Sequence, residues 1–187
     1  MKIYYHINME SFANCYLVVN EDTREALIID PCKITPALLN QIEDDRYNLT
    51  AVLITHSHPG HHRGLRTLKK IYTPRVYAAE YDLAGSSATI LKDSGTITEA
   101  GFTVHYSSLP GHSADSICYR IAHVIFTGDV LTAGITGTTD SNYAKHALAQ
   151  NVRAKLFSRP GFEIIMPGHG PPSSVEAEQR FNIELSL

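Results

Sequence analysis

The sequence predicts a single α/β domain, and three observations predict it. Strand-like runs rich in β-branched residues alternate with stretches of helical periodicity along the whole chain. The 187 residues, 43% of them hydrophobic, suffice for one substantial core and leave no room for a second unit of ordinary size, so residues 1–187 are read as one domain. Short islands of glycine, histidine and aspartate stand where the strand-like runs end, in loops that a rigid scaffold can hold in place.

The elements follow in order. Residues 2–7, 15–20 and 25–30 read as strands, the last two joined by the polar turn Asn20-Glu21-Asp22. Thr35 and Pro36 supply an N-cap and a first-turn proline, and Ala37, Leu38, Leu39 and Ile42 then recur at helical spacing. The apolar strand Ala51 to Ile54 leads into Thr55-His56-Ser57-His58-Pro59-Gly60-His61-His62-Arg63-Gly64, and Leu65, Leu68 and Ile71 predict one helix running from His61 to Ile71. Residues 75–78 and 102–107 read as strands, and residues 81–94 between them as a mixture of helix and loop. Residues 116–121 and 124–127 form a hairpin turning at Ala122-His123 and ending on Gly128-Asp129. A helix over 142–158, a strand over 162–166 and a helix over 174–181 complete the chain.

Composition excludes several functions. The formal net charge is -3 and lysines and arginines are scattered, which speaks against binding nucleic acid or an anionic membrane. No apolar run approaches membrane-spanning length, and the N-terminus reads as a strand instead of a signal peptide. Cys15, Cys32 and Cys118 are odd in number and widely separated, so reduced thiols and a cytoplasmic location are expected, with Cys32 read as a small buried residue. The sequence carries no signal for oligomeric state.

Four histidines within seven residues, His56, His58, His61 and His62, point to a transition-metal site, because neutral imidazole is the commonest metal-binding side chain near neutral pH. Three further islands add candidates: Leu109-Pro110-Gly111-His112-Ser113, Phe126-Thr127-Gly128-Asp129 and Met166-Pro167-Gly168-His169-Gly170. His6, His105, His123 and His146 stand alone and are read as structural, and the hydroxyls of Thr55 and Thr127 as local hydrogen-bonding groups.

Together with Asn14-Cys15-Tyr16-Leu17-Val18 and Ile28-Ile29-Asp30-Pro31, these motifs resemble the metallo-β-lactamase superfamily, in particular short glyoxalase II-like (hydroxyacylglutathione hydrolase-like) hydrolases. The resemblance implies an αββα four-layer sandwich. It also implies one metal on His56, His58, His112 and Asp129 and a second on His61, His169 and the same catalytic, bridging Asp129. The family motif Thr-His-x-His-x-Asp-His-x-x-Gly carries aspartate where this chain has Gly60, so the second site is one ligand short. His62 is a candidate substitute, although as the helical neighbour of His61 it is turned from it by about 100°. Asp30 is the candidate partner that fixes the tautomer of a ligand histidine.

The implied activity is hydrolysis of a small-molecule thioester or ester by metal-activated water, with zinc as one or two ions, and iron or manganese accepted by the same donors. A mononuclear iron persulfide dioxygenase using His56, His112 and Asp129 is the alternative reading, and a degenerate metal-binding protein without turnover a third. Thr138 stands in Gly137-Thr138-Thr139-Asp140 where the relatives carry arginine, and their further helical domain, which grips glutathione, is not expected here.

Overall fold

Two six-stranded sheets face one another, and helices cover their outer faces. The computed structural model describes residues 1–83 and 85–185. Its first half runs β1 (Lys2–Ile7), β2 (Asn14–Val19), β3 (Glu25–Ile29), α1 (Pro36–Asp44), β4 (Asn48–Leu53), α2 (Pro59–His62), α3 (Leu65–Ile71), β5 (Arg75–Ala78), β6 (Asp82–Leu83), β7 (Ser86–Ser87) and β8 (Thr89–Ile90). The second runs β9 (Ser94–Glu99), β10 (Phe102–Ser108), β11 (Ile117–Ile121), β12 (Val124–Gly128), β13 (Leu131–Thr132), β14 (Ile135–Thr136), α4 (Asn142–Lys155), β15 (Ile164–Pro167), β16 (Ser173–Ser174) and α5 (Val175–Phe181).

The first sheet has the order β1-β2-β3-β4-β5-β8, antiparallel up to β3 and parallel beyond it. The second has the order β16-β15-β12-β11-β10-β9, with only β12 and β15 parallel. Strand alternation explains the layering. On β2, Cys15, Leu17 and Val19 face the helices, where they meet Leu38 and Ile42 of α1 and Leu65 and Leu68 of α3, while Tyr16 and Val18 face the other sheet and join Tyr119, Ile121 and Phe126. Both faces are covered, so the strand reads as a continuous apolar run. The outer face of the second sheet packs Cys118, Ile125 and Ile165 against Leu148 and Val152 of α4 and Val175 of α5. The αββα expectation therefore holds.

Caps account for the helix starts. Thr35, Ser141 and Ser174 each accept a backbone N–H of the first turn of α1, α4 and α5. Two expectations need correction. The helix expected over His61 to Ile71 is broken at Gly64, whose N–H donates to the carbonyls of Pro31 and Cys32 at 2.8 and 3.1 Å instead of to the preceding turn. A Cβ at Gly64 would lie 2.4 Å from the Pro31 carbonyl oxygen, so this crossing demands glycine. Residues 81–94 hold no helix among those described, Ala84 lying outside them. β6 and β7 form a hairpin, β8 pairs parallel with β5, and the N–H of Leu91 donates to Ala78 O at 2.8 Å. No helix among the described residues is long and apolar enough to cross a membrane.

Candidate metal centre

The candidate ligands lie in the segments that follow the C-terminal ends of strands, at one edge of the sandwich. β4 leads to Thr55 and His56, His58 stands at the N-terminus of α2 and His61 within it, β10 leads to His112, and Asp129 and His169 follow closely on β12 and β15. The Asp129 carboxylate is where they meet. Its Oδ2 lies 3.4 Å from His61 Nε2, 3.7 Å from His112 Nε2 and 3.8 Å from His56 Nε2, and its Oδ1 lies 2.8 Å from His169 Nδ1. His58 Nδ1 faces His112 Nε2 at 3.0 Å.

These side chains form two groups sharing Asp129. In one, His56, His58, His112 and Asp129, and in the other, His61, Asp129 and His169, offer ligating atoms that all lie within 4.8 Å of one another. A divalent cation fits this donor set. His56 Nε2 and His61 Nε2 are buried without a hydrogen-bond partner, a costly condition that a coordinated ion relieves. Both imidazoles line the closed wall of the site, whereas His169 opens to solvent with 38% of its side chain exposed.

Hydrogen bonds select which nitrogen each imidazole presents. Asp30, buried at the end of β3 with φ of +51°, accepts the Thr55 N–H at 2.8 Å on Oδ1 and the Thr55 hydroxyl at 2.6 Å on Oδ2. With its proton directed to Asp30, that hydroxyl accepts from His56 Nδ1 at 3.0 Å, which leaves His56 Nε2 as a lone pair aimed at Asp129. Asp30 Oδ2 also accepts from His61 Nδ1 at 2.9 Å, turning His61 Nε2 the same way. One carboxylate thus orients an imidazole of each group, and Thr55 is the relay. His112 Nδ1 donates to the Thr138 carbonyl at 2.8 Å, so Thr138 holds this imidazole through its backbone.

His169 is fixed by Ser11, which the sequence reading did not single out, and by Asn14, which it quoted as part of a motif without a role. Its Nε2–H donates to the Ser11 carbonyl at 3.2 Å. Asn14 Nδ2 donates to the carbonyls of Pro167 and Gly170, both at 2.9 Å, and the Asn14 N–H donates to Gly168 O at 2.7 Å, clamping the turn on either side. Gly168 is required there: a Cβ would lie 2.3 Å from Asp129 Oδ1. Asn14 opens the Asn-Cys-Tyr run, but its long-range partners leave no local signal.

His62 does not join either group. Its Nε2 donates to the Ser57 carbonyl at 2.9 Å, tying the ring to the loop, so the candidate substitution for the lost carboxylate is not made. At Gly60 itself a Cβ would meet only Ser11, at 3.6 Å. Cys32 is fully buried beside the Asn14 and Asp30 carbonyls, and burial pushes its thiol far above the usual range.

The two buried imidazoles differ in charge. Burial, reinforced by His61, pushes His56 down to about 4. Burial also disfavours the charged form of His61, but Asp129 and Asp30 outweigh it and hold His61 up at about 10. Asp129 lies well below the carboxylate range: burial opposes its ionisation, and His169 and His61 overcome that.

Comparison with known proteins agrees with this architecture. Residues 9–169 match the metallo-β-lactamase superfamily. A probable hydroxyacylglutathione hydrolase of Schizosaccharomyces pombe is 33% identical over 82% of this chain and 62% of its own length. A probable polyketide biosynthesis zinc-dependent hydrolase, BaeB of Bacillus velezensis, is 26% identical over 92% of this chain and 81% of its own. Among solved structures, the BLEG-1 B3 metallo-β-lactamase superposes with a TM-score of 0.91 at 24% identity over the whole of both chains. TTHA1623 in a di-iron-bound form superposes with a TM-score of 0.80 at 26% identity, over 96% of this chain and 98% of that one. With the two sheets, the strand-end histidines and the shared aspartate in place, the chain belongs to the metallo-β-lactamase superfamily.

Proposed function

We propose that the chain is a metal-dependent hydrolase of a small-molecule thioester or ester. The observation that carries this reading is the Asp129 carboxylate, ringed by four imidazoles, two of which turn buried, unpartnered nitrogens toward it. In this proposal His56, His58, His112 and Asp129 hold one ion, and His61, His169 and Asp129 hold a second. Zinc is our first choice, since BaeB is described as zinc-dependent, while the di-iron form of TTHA1623 supports iron as the competitor. An ion bound there supplies a Lewis acid that lowers the pKa of water and polarises a carbonyl.

The chain's own residues do the rest. Asp30 and Thr55 hold two ligand tautomers, so the site needs no reorganisation when charge develops. The closed wall of His56 and His61 limits solvent to one side, and the open side, at His169, admits substrate. A thioester suits this arrangement because its thiolate leaves without an acid to protonate it. The similarity to a probable hydroxyacylglutathione hydrolase supports the thioester class. Cys15, Cys32 and Cys118 are free and buried, which supports a cytoplasmic location.

The test is metal content per chain in protein purified without chelator or added metal, measured beside turnover of a lactoylglutathione thioester. Two zinc ions with chelator-sensitive turnover are expected. One iron, oxygen uptake on glutathione persulfide and no hydrolysis would replace this reading with the dioxygenase. One zinc without turnover of any thioester, ester or lactone would leave a binding protein.

A further inference from the structure

A cavity of about 500 Å³ lies away from the metal centre, on the outer face of the second sheet beyond the end of α4, and it exceeds the other two described, of about 400 and 320 Å³. Strand alternation builds its floor. Val104 of β10 and Ile97 of β9 pack between the sheets, so their neighbours turn outward. The register then sets Thr96, His105 and Arg120 side by side in one cross-strand row, and Ser94, Ser107 and Cys118 in the next. Near the metal centre the same face is apolar, covered by α4 and α5; here it carries hydroxyls and cations. Lys155, Ser158 and Arg159, from the end of α4 and the turn after it, close one wall.

The charge is one-sided. No Asp or Glu lines the cavity, although the chain as a whole carries -3. Arg159 is paired with Glu163, at 2.6 and 3.1 Å. The other two cations have no carboxylate partner among the described residues: Arg120 Nη1 donates to Ala122 O at 2.8 Å, and Lys155 Nζ to Ser108 O at 2.6 Å. A backbone carbonyl steadies such a head without neutralising it, and the remaining N–H groups stay available. The field reaches His105, whose pKa is lowered first by burial and then by Arg120 and Arg159.

We propose that this cavity binds a small molecule bearing two phosphate groups, one held against Arg120 and the hydroxyl of Thr96 and the other against Lys155 and the hydroxyl of Ser107. Two uncompensated cations match a dianion better than a single carboxylate. A planar guanidinium beside a hydroxyl row offers donors to the three oxygens of a phosphate group. The volume is that of a small-ligand pocket. The site is independent of the hydrolase reading, since it shares no residue with the metal centre.

The test is calorimetric titration of the metal-loaded protein with inorganic pyrophosphate, in buffers free of other multivalent anions. Anions also bind metals, so His112→Ala serves as the metal-centre control. Arg120→Gln combined with Lys155→Gln removes the charge of the cavity, and Thr96→Glu, at an exposed strand position, places a carboxylate inside it with little risk to folding. The expected result is one pyrophosphate site that survives His112→Ala and weakens at least about tenfold in both cavity variants, with metal content unchanged. No binding by the wild type, or binding that disappears with His112→Ala and ignores Thr96→Glu, overturns the proposal.

Discussion

The two halves of the metal centre share Asp129 but differ in how they are built. The first half brings four side chains together, and one of them, His58, has among the described residues only its neighbour His112, at 3.0 Å, as a hydrogen-bond partner for its ring. The second half brings only three, but both of its imidazoles bond to groups outside it. His61 is buried and bonded to Asp30, and His169 sits in a turn clamped by Asn14 and is tied to Ser11. The lesson is that ligand number and preorganisation vary separately. If Gly60 stands where a further ligand is missing, the remaining side chains of the second half are nonetheless held in place, so the two halves should differ in affinity more than in order.

The sharpest test removes what the halves share. Asp129→Asn should empty both and reduce turnover to background, a larger loss than the roughly 10–100-fold typical of an orienting partner. Elemental analysis and a thioester assay check it, and a full metal complement in the variant would break the shared-carboxylate picture. Asp30→Asn comes next. Because Asp30 serves His56 through Thr55 and His61 directly, metal affinity should fall about 10–100-fold in both halves together. Titration against a competing chelator reads the two affinities separately, and a loss confined to one half would show that the relay through Thr55 carries nothing.

The unequal legibility of these features in the sequence has the same origin. His56, His58, His61, His112, Asp129 and His169 were all readable as candidates because each follows a strand-like run, either within the histidine cluster or beside glycine, and the structure brings them together at one edge of the sandwich. The groups that orient them were only partly readable. Asp30 carried a motif, but Thr138 acts through its carbonyl and Asn14 through carbonyls more than 150 positions away, neither of which has a sequence pattern. The misread elements fail for a similar reason. Leu65, Leu68 and Ile71 do recur helically, but the Pro31 carbonyl pressing on Gly64 is a tertiary contact that periodicity cannot contain. β9, with Gly95, Thr96 and Thr98 in an edge strand, has too few apolar residues to announce itself, and its pairing to β10 supplies the order.

Proton competition separates the halves more finely. In chelator-treated protein at neutral pH, His56, lowered to about 4, is already neutral, whereas His61, raised to about 10, carries a proton that a metal must displace. The signs for stability are opposite. The raised His61 stabilises the fold fully below its ordinary value of 6.5 and loses that contribution as pH climbs through about 10; the lowered His56 costs stability as pH falls from 6.5 toward 4. For metal binding, the second half should therefore gain about tenfold in affinity per pH unit between about pH 7 and 9, with His56 adding no such slope to the first. Chelator competition at three pH values checks it, and equal slopes from the two halves would remove the distinction between these imidazoles.

The smallest expected effect is the most specific to this chain. If the second half lacks only a ligand, Gly60→Asp should supply one, because its remaining groups are already in place. Gly60 does not use a positive φ, and a Cβ there meets Ser11 in ordinary contact at 3.6 Å, so the backbone can accept the side chain. We expect affinity at the second half to rise about tenfold, worth about 1.4 kcal/mol, with the first half unchanged. Gly60→Ala is the necessary companion, since replacing glycine alone can stabilise a protein by about 0.4–1 kcal/mol through the unfolded chain. A rise in melting temperature shared by both variants would belong to that effect, whereas a gain in metal affinity confined to aspartate would belong to the ligand. Were aspartate to tighten neither half, the second half would be limited by its geometry, with His169 held by Ser11 in an orientation that a fourth donor cannot use.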